Sequence, residues 1–418
     1  MARNTGESEN AADAGAATRL GRGPRPLDGY LIADLSRVLA GPTATMMLAD
    51  LGARVIKVER PGLGDDTRQF GPPWAGSSSA YFESANRTKQ SIALDLDDPA
   101  DRELAHQLTD RADIVVENYR TGALARFGLD YPSVRQRNPR VIYASITGFG
   151  SAAGAGEPGY DFLVQAVGGL MSITGQPDSP AAGHPAGEPT KVGVAIVDLL
   201  AAKDVVMAIL AAALHREQTG TGQHVEIDLL SSALAALANQ GSSYLATGRS
   251  PGRLGNRHPS IAPYETVRCR DGYLAIAVAN DRQWRAVVAM VAGLTSENAR
   301  ELASERFATN PGRVEHHDQL IGALERVFAT DDTATWIARL RTADVPAGPV
   351  NDIAAAIELA RQYGLDPVAD VGAANPPQIR HPVRYSAFNP VPPVAPPALD
   401  QHGDQIREWL RRPRDRER

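Results

Sequence analysis

The chain has 418 residues, of which 43% are hydrophobic and 22% are charged. This length exceeds that of one ordinary core and the balance is that of a globular protein, so two domains are expected. The formal net charge of −6 argues against the basic footprint of a protein that binds nucleic acid or an anionic membrane surface. Local basic residues must therefore meet any anionic ligand.

The single cysteine and the N-terminal residues indicate in which cellular compartment the protein is expected. Cys269 is the single cysteine, so an intramolecular disulfide is impossible and a reducing, cytoplasmic location is expected. Residues 1–26 lack an apolar stretch of signal-peptide length, which predicts a disordered leader. Asp198, Lys203 and Asp204 interrupt the apolar run after Val192, so no membrane span is expected.

From Leu27 onward the pattern alternates strands and helices. The predicted elements are a strand at 31–36, a loop at 37–42, a helix at 43–51, a strand at 54–59, a helix opened by Asp98-Pro99, a strand at 114–117, a short helix near Ala123 and a strand at 141–147. This order predicts an α/β fold with a mainly parallel, Rossmann-like sheet. No GxGxxG motif follows the first strand, which argues against a nicotinamide or flavin enzyme.

The second half of the chain predicts a smaller α+β domain. A long helix at about 195–217 leads to a strand at 223–228 and an apolar helix at 229–245, and a hairpin at 265–278 is followed by helices over roughly 281–341. A further helix is predicted at 353–362. The predicted domains are a large ligand-binding domain at 27–225, a linker helix and small domain at 226–341, and a return to the large domain at 342–418.

Basic or donor groups follow the ends of successive strands. They are Arg37, Arg60, Asn118 with Arg120, and Thr147 with Gly148. Ligands of open parallel sheets bind beyond the carboxyl ends of the strands. Each group alone is more often a solvated surface residue, but their recurrence favours a phosphate-bearing ligand.

Asp198 interrupts the apolar run near the start of the long helix, and a buried, unpaired carboxylate is costly. One interpretation is a helix N-cap. The other is that the positive end of the helix keeps the carboxylate ionised in an apolar pocket, ready to attack a thioester carbonyl. The local sequence alone favours the cap.

Other catalytic patterns are weak. No HExxH or similar ligand spacing is present, so no metal is expected, and no GxSxG nucleophile elbow occurs. The loop Gly255, Asn256, Arg257 and His258 carries the one histidine in a glycine-bearing segment. This loop is a candidate to close over a substrate.

Several segments together identify a resemblance. They are 27–29, 40–42, 51–53 with 55–60, 86–92, 117–124, 193–198, 219–225 and 345–351. In this order they resemble the class III CoA-transferases, a family of formyl-CoA, carnitine and bile-acid CoA-transferases that includes the α-methylacyl-CoA racemases. The likeness covers nearly all of residues 27–407.

The resemblance implies a two-domain chain in an interlocked homodimer, with an acyl-CoA and a free carboxylic acid as substrates. It implies that Asp198 forms an acyl-aspartyl anhydride and an aspartyl-CoA thioester. The positions that it assigns to coenzyme A, added to Arg37 from the strand ends, are Leu39, Ala40, Arg60, Leu94, Asp95, Leu96, Asn118, Tyr119, Arg120, Arg126, Glu157, Gly159 and Tyr160. Asp97 and Pro158 replace lysines of the formyl-CoA enzyme, so no ionic contact is expected there.

Departures from the family pattern narrow the expected reaction. Leu39 replaces a glutamine of the oxalate-using enzyme, and residues 255–259 replace its run of glycines, so oxalate is not expected. Tyr160 replaces the histidine that racemases use as an acid or base, and tyrosine is too weakly acidic at neutral pH to substitute readily. Racemisation is the alternative, and a non-catalytic CoA-binding protein is a second alternative. Arg37 or Arg257 could hold a second carboxylate, which suggests a dicarboxylic acid such as succinate.

Overall fold

The computed structural model describes residues 23–76, 78–177, 187–294, 297–372 and 375–413. The chain divides into two compact units. The first contains the described residues up to Gly169, Gly193–Gly241 and the described residues from Gly364 onward, and the second contains the described residues of Leu170–Val192 and of Ser242–Tyr363. Each unit is therefore assembled from separate stretches of sequence.

The strands belong to one large parallel sheet, one small antiparallel sheet and two short ladders. In chain order they are β1 (Leu31–Asp34), β2 (Arg54–Glu59), β3 (Trp74–Ala75), β4 (Ser78–Ser79), β5 (Gln90–Ala93), β6 (Ile114–Glu117), β7 (Ile142–Thr147), β8 (His224–Asp228), β9 (Tyr264–Arg268), β10 (Tyr273–Ala277), β11 (Ala347–Pro349), β12 (Val368–Ala369) and β13 (Gln378–Ile379).

The helices alternate with these strands along the chain. In chain order they are α1 (Ala40–Asp50), α2 (Ala80–Asn86), α3 (Pro99–Arg111), α4 (Tyr131–Arg137), α5 (Asp161–Val167), α6 (Leu170–Ile173), α7 (Ile196–Thr219), α8 (Leu229–Ala236), α9 (Ala238–Thr247), α10 (Asp281–Val291), α11 (Glu297–Leu302), α12 (Asn310–Glu315), α13 (His317–Phe328), α14 (Thr333–Thr342), α15 (Ile353–Gln362) and α16 (Gly403–Arg411). Short 3-10 turns lie at Asp66–Gln69, Ala125–Phe127 and Glu305–Phe307. None of the helices in the described ranges has the length and apolar character to cross a bilayer.

The large sheet has the strand order β5-β2-β1-β6-β7-β8, and all its pairs are parallel. Every residue of β1 and β6 is buried, as expected for strands that helices cover on both faces. Ala33, Ile56 and Val115 pack with α3 and α16, whereas α1 and α7 lie against the other face. This confirms the predicted α/β class with a Rossmann-like parallel sheet.

The strand order changes direction at the centre of the sheet. The chain moves outward from β1 to β2 on one side, and β6 then pairs with β1 on the other side. Such a switch point leaves a crevice between the loops at the carboxyl ends of the two strands. The loops after β1 and β6 therefore lie side by side, and they carry Arg37 and Asn118.

The second unit has its own sheet and core. Its strands are antiparallel in the order β11-β10-β9, with Leu274 opposite both Val267 and Pro349. Trp284, Phe328 and Trp336 are buried in the apolar cluster between this sheet and the helices. The predicted hairpin and the helices after residue 281 are present.

The boundaries of the compact units differ from the predicted domain boundaries. Because β11 pairs with β10, residues 347–349 and the following α15 lie in the second unit, and the chain returns to the first unit at Gly364 instead of residue 342. The described residues of Leu170–Val192 also lie in the second unit. Of the predicted leader, residues 1–22 lie outside the described residues. Gly23 donates its N–H to the carbonyl of Ala387.

Smaller differences have local causes. The helix α1 begins at Ala40 instead of Thr43, because Pro42 is tolerated in a first turn that needs no hydrogen-bond donor from it. The predicted helix at 229–245 is divided into α8 and α9 at Leu237, next to Ala238 with a φ of 44°. The strands β5 and β11 of the two larger sheets, and the strands of the two short ladders, were not predicted.

Two lysines are buried beneath the loop that follows β1. Lys57 Nζ lies 2.8 Å from Asp65 Oδ2 and donates to the carbonyl of Ser36 at 2.9 Å. Lys89 Nζ lies 3.0 Å from Asp34 Oδ2 and donates to the carbonyl of Pro42 at 2.8 Å. These four charged side chains are at most 1% exposed.

The opposite charges decide the protonation of this cluster. Burial alone would raise the pKa of Asp34, but the charges of Lys89 and Lys57 outweigh it and lower that pKa to about 2. Burial alone would lower the pKa of Lys57, yet the neighbouring carboxylates raise it. For Lys89 burial prevails over Asp34 and lowers the pKa to about 8. The cluster is therefore ionised at neutral pH.

Removal of one member of a buried ion pair should destabilise the fold. We expect Lys89→Met to lower the free energy of unfolding by about 3–5 kcal/mol, because it leaves the buried carboxylate of Asp34 without its nearest cation. The double variant Asp34→Asn/Lys89→Met should recover part of this loss. Arg270→Met, which breaks an exposed pair with Asp332, should cost less than about 1 kcal/mol. Urea unfolding measures all three, and equal effects at the two sites would contradict the account.

Candidate functional site

The loop after β1 is held from both sides. Asn118 accepts the Arg37 N–H at 2.8 Å and donates to the Arg37 carbonyl at 2.7 Å, so its amide grips the backbone of this residue. On the other side, both carboxylate oxygens of Asp65 lie 3.3 Å from the Val38 nitrogen. Val38 has a φ of 70°, which a β-branched residue adopts only where its surroundings impose it.

A cavity of about 220 Å³ opens at the carboxyl edge of the sheet, where these loops meet the first turn of α7. The sequence predicts many of its lining residues, and the structure places them together: Arg37, Leu39, Ala40, Asn118, Tyr119, Arg120, Glu157, Gly159, Tyr160 and Asp198. Gly148 and Gly159 approach so closely that a Cβ on either would lie 2.3 Å from the other's Cα. Glycine at both positions is therefore needed for the cavity wall.

Arg37 is the cation best placed at this cavity. Its guanidinium stacks over the ring of Tyr119, with 4.9 Å from Cζ to the ring centroid, and its Nη1 lies 3.6 Å from Asp66 Oδ2. Its Nε is buried and has no hydrogen-bond partner among the described residues. An anionic ligand atom at this point would satisfy a donor that the protein leaves unpaired.

Asp198 lies in the first turn of α7 and is 9% exposed. The N-cap residue of the helix is Ala195, which makes no side-chain cap bond, so the interpretation of Asp198 as an N-cap is wrong. Instead, Asp161 Oδ1 accepts the N–H groups of Val197 at 2.8 Å and of Asp198 at 3.3 Å. The carboxylate of Asp198 is thus free of any capping role.

The protonation of Asp198 differs from expectation. Burial, and then the negative charge of Asp161, raise its pKa to about 7. The helix N-terminus therefore does not lower the pKa of this carboxyl group, since Asp161 accepts the N–H groups and adds a like charge. Near neutral pH the group exists in both protonation states.

Tyr81, in α2, is a neighbour that the sequence does not reveal. Burial raises its pKa to about 12, and the negative charges of Asp198, Asp161 and Asp65 contribute to this shift. The phenol therefore stays protonated at neutral pH and keeps its capacity to donate a hydrogen bond. Tyr81 also packs edge-on against Phe70 at 5.7 Å between centroids.

Other predicted positions lie away from this cavity. Arg60 pairs with Asp66, and Arg126 Nη2 lies 3.7 Å from Asp97 Oδ1 in an exposed pair. Leu94 is buried in the core, and Asp95 and Leu96 follow it in the loop before α3. Asp66 lines the cavity, so Arg60 contacts a lining residue but does not line the cavity itself.

The predicted substrate loop belongs to the second unit. Gly255 donates its N–H to Gly175 at 2.9 Å with a φ of 64°, and His258 packs against Tyr264 at 5.3 Å between ring centroids. Arg257 Nη1 lies 3.0 Å from His317 Nδ1, and Asn256 donates to Thr266. Arg257 is therefore already engaged by its own unit.

His317 connects this loop to acidic neighbours. Its Nε2 lies 2.6 Å from Glu265 Oε1 and its Nδ1 lies 3.0 Å from Asp318 Oδ1. Burial alone would lower the pKa of His317, but these carboxylates outweigh it and raise the pKa. Among the residues that the structure describes, no group of three or more His, Cys, Asp or Glu side chains could hold a metal ion.

The arrangement suits nucleophilic chemistry on an activated acyl group. A buried carboxylate faces a cavity of mixed polar and apolar walls, and arginine side chains line the same cavity. Such a carboxylate is poorly hydrated and basic, which makes it a stronger nucleophile than a solvated aspartate. The arginines can meet the negative charge of a ligand.

Comparison with known proteins identifies relatives over most of the chain. Residues 27–403 match the model of CoA-transferase family III. The chain is 44% identical over 341 residues to the succinate–glutarate CoA-transferase of Agrobacterium fabrum, which covers 78% of this chain and 80% of that protein. It is 37% identical over 392 residues to the acetyl-CoA:oxalate CoA-transferase of Acetobacter aceti, which covers 93% and 96%.

A solved structure agrees with the fold. The crystal structure of a CAIB/BAIF family protein from Brucella suis superposes with a TM-score of 0.83 at 40% sequence identity, covering 93% of this chain and 100% of that one. The match extends over both compact units. The likeness therefore includes the second unit as well as the parallel sheet.

The raised pKa of Asp198 predicts a pH-dependent cost of folding. Because the folded state binds this proton more tightly than the unfolded state, stability falls as pH rises from the ordinary pKa of 3.8 to about 7. Asp198→Asn has no carboxyl group to titrate at this position, so its stability should not fall for this reason. We expect the free energy of unfolding of Asp198→Asn, relative to that of the wild-type protein, to increase by a few kcal/mol between about pH 4 and about pH 8. Urea unfolding at both pH values tests this, and a constant difference would contradict it.

Proposed function

Because the chain belongs to CoA-transferase family III, we propose that it transfers CoA from an acyl-CoA to a free dicarboxylic acid, with Asp198 as the covalent acyl carrier. The observation that carries the proposal is the buried carboxylate of Asp198 in a cavity at the switch point of the sheet. Asp161, and not Asp198, accepts the N–H groups at the start of the helix. This leaves both oxygens of Asp198 available for chemistry.

Coenzyme A is proposed to enter along the carboxyl edge of the sheet. Arg37, Tyr119 and Arg120 line the cavity, and beyond it lie Arg60, in the loop after β2, and Arg126, in the 3-10 turn Ala125–Phe127. Arginine is suited to phosphate because it offers several donors in one plane. The thioester end would then reach Asp198, while the nucleotide stays near the exposed arginines. Asn118 would act indirectly, since its amide holds the Arg37 backbone.

The reaction proceeds through alternating anhydride and thioester states. The Asp198 carboxylate attacks the thioester carbonyl, the C–S bond breaks, and CoA leaves as a thiolate with an acyl-aspartyl anhydride left behind. The thiolate attacks the aspartyl carbonyl and expels the first acid, which gives an aspartyl-CoA thioester. The second acid attacks that thioester, and the released thiolate then attacks the new acyl carbon. Asp198 is regenerated with no net uptake or release of protons.

Exclusion of water is the physical requirement of this scheme. An anhydride and a thioester both hydrolyse readily, so the carrier must be held where water cannot compete with the second acid. Asp198 is 9% exposed, and its burial is the largest cause of its raised pKa. The same desolvation that protects the intermediate makes the carboxylate more nucleophilic.

The proposed acid is a dicarboxylate, with Arg37 as the group that meets its second carboxylate. The named substrates of the relatives include succinate, glutarate and oxalate, all of them dicarboxylic acids. The buried Nε of Arg37, without a partner among the described residues, supports this role. Leu39 departs from the pattern of the formyl-CoA enzyme, and for that reason oxalate was not expected as a substrate. Oxalate nevertheless belongs among the acids to be tested, because a relative that is 37% identical is named as an oxalate CoA-transferase.

The lining of the cavity favours transfer over racemisation. No histidine occurs among the described residues that line the cavity. Tyr160, at the position of the racemase histidine, is 69% exposed. Transfer is therefore favoured over racemisation. A non-catalytic role is disfavoured because the buried carboxylate is unengaged and the relatives are named as enzymes.

A homodimer in the cytoplasm is part of the proposal. Large apolar side chains such as Phe162, Met207 and Leu214 are more than half exposed on α5 and α7. Faces of this kind are typical of surfaces that a second subunit covers. Cys269 is buried and unpaired, which is compatible with a reducing compartment.

The covalent carrier can be trapped directly. Incubation with succinyl-CoA and hydroxylamine should convert Asp198 to its hydroxamate, which peptide mass spectrometry detects, because hydroxylamine attacks the anhydride or thioester. Asp198→Asn should lose transfer activity by at least about a thousandfold. Asp204→Asn, on the same helix but outside the cavity lining, should retain activity.

Two results would contradict the carrier role. One is full transfer activity in Asp198→Asn, measured after exclusion of amide hydrolysis by mass spectrometry. The other is a hydroxamate at a different carboxylate, with Asp198 unmodified. Deuterium incorporation at the α-carbon of a 2-methylacyl-CoA in heavy water, without CoA transfer, would instead support the racemase.

Arg37 should control the choice of acid. We expect Arg37→Gln to lower kcat/KM with glutarate about tenfold to a hundredfold more than with valerate, which lacks the second carboxylate, because a charged hydrogen bond is lost only with the diacid. Arg257→Gln is the matched control, since His317 already engages that arginine. Equal losses with both acids would assign Arg37 to coenzyme A alone.

A further inference from the structure

Asp161 connects two elements of the first unit at the site of the nucleophile. It is the first residue of α5, and its Oδ1 accepts N–H groups from the first turn of α7, at 2.8 Å from Val197 and 3.3 Å from Asp198. Those donors belong to residues 36 and 37 positions later in the chain. A side chain from another element thus completes the end of the helix that carries Asp198.

A buried glutamine fixes the orientation of Asp161. Gln165 is fully buried, and its Nε2 donates to Asp161 Oδ2 at 2.7 Å and lies 3.5 Å from the carbonyl of Val194. Both oxygens of Asp161 are therefore engaged, one by α7 and the other by Gln165. A carboxylate held at both oxygens can fix the position of the turn that it caps.

We propose that Asp161 is a positioning residue that orients Asp198. Through its negative charge it also favours the acylated form of Asp198 over the ionised form, an effect that rests on the proposed transfer reaction. Two carboxylates of like charge repel each other in a poorly hydrated site. Acylation converts Asp198 to a neutral anhydride or thioester, so the repulsion disappears when the covalent bond forms. Asp161 therefore makes Asp198 a better nucleophile through its charge, while its own oxygens are engaged by protein groups.

Other charges face the same space and oppose or add to this effect. Arg37, Arg120, Asp66 and Glu157 line the cavity with Asp198, and the phenol of Tyr81 lies within electrostatic reach from α2. The arginines stabilise an ionised Asp198, whereas the carboxylates disfavour it. Burial and the charge of Asp161 prevail, because the pKa of Asp198 is raised to about 7.

The substitution Asp161→Asn separates charge from geometry. The amide oxygen can still accept the N–H groups of α7, and Gln165 can turn its amide so that Oε1 accepts from the new Nδ2, but the negative charge is gone. We expect the titration midpoint of Asp198, followed by NMR of protein labelled with ¹³C-aspartate and assigned by comparison with Asp198→Asn, to fall by about one pH unit. The acidic limb of the pH profile of kcat/KM should move in parallel. Asp204→Asn, which removes a carboxylate elsewhere on α7, should leave both unchanged.

The substitution Asp161→Ala also removes the cap. We expect kcat to fall about a hundredfold while KM for the acyl-CoA changes little, because the nucleophile is displaced and coenzyme A contacts are not. Asp161→Asn should retain most of the cap, which keeps the test valid if the alanine variant fails to fold.

The inference is overturned if Asp161→Asn leaves the Asp198 midpoint unchanged, or if Asp204→Asn lowers it equally. The NMR titration needs no substrate, so it tests Asp161 even if the protein transfers no CoA. Absence of transfer by the wild-type protein across the acid panel would refute the proposed reaction separately.

Discussion

The site depends on two buried lysines that hold the loop after β1 in place. Lys57 and Lys89 are surrounded by carboxylates and backbone carbonyls beneath Ser36 and Pro42, where a mobile loop would leave buried charges unpaired. Asp65, the partner of Lys57, also accepts the Val38 N–H. Asn118, which follows β6 on the other side of the switch point, accepts the Arg37 N–H. The cavity wall is thus built on charge pairing in the core, and Val38 keeps its positive φ because its neighbours leave no alternative.

A second constraint acts on Asp198, the proposed nucleophile. The first turn of a helix presents unpaired N–H groups that would normally stabilise a nearby anion. Here Asp161 accepts the N–H groups of Val197 and Asp198, so the dipole is partly neutralised and Asp198 is left basic. The pairing resembles other sites in which two carboxylates in one pocket take different roles because their environments differ. A sequence pattern that shows one aspartate in an apolar run does not distinguish these environments.

Local sequence predicted those features that local interactions determine. The strands β2 and β6 have the predicted bounds because each is a short buried run rich in apolar residues, and the helix α15 has them because Asp352 caps its first turn. The short strands β5 and β11 were missed because their pairing partners are distant in sequence, and β11 contains glycine and proline. Asp161 was missed as a cap because it precedes Asp198 by 37 positions, and Tyr81 because only the tertiary fold brings it near Asp198. The strand-end argument did place Arg37, Asn118 and Arg120 at one cavity.

The central claim is that the carboxylate of Asp198 exchanges an oxygen with the acid that it activates. When the acceptor acid carries oxygen-18, its carboxylate oxygen bridges to Asp198 in the anhydride and remains on Asp198 after the thiolate attacks the acyl carbon. Peptide mass spectrometry after turnover with labelled glutarate should therefore find oxygen-18 in the peptide that contains Asp198. Turnover of labelled acid with no isotope in that peptide would contradict the account, because CoA would then have passed between the acids without a covalent aspartyl carrier.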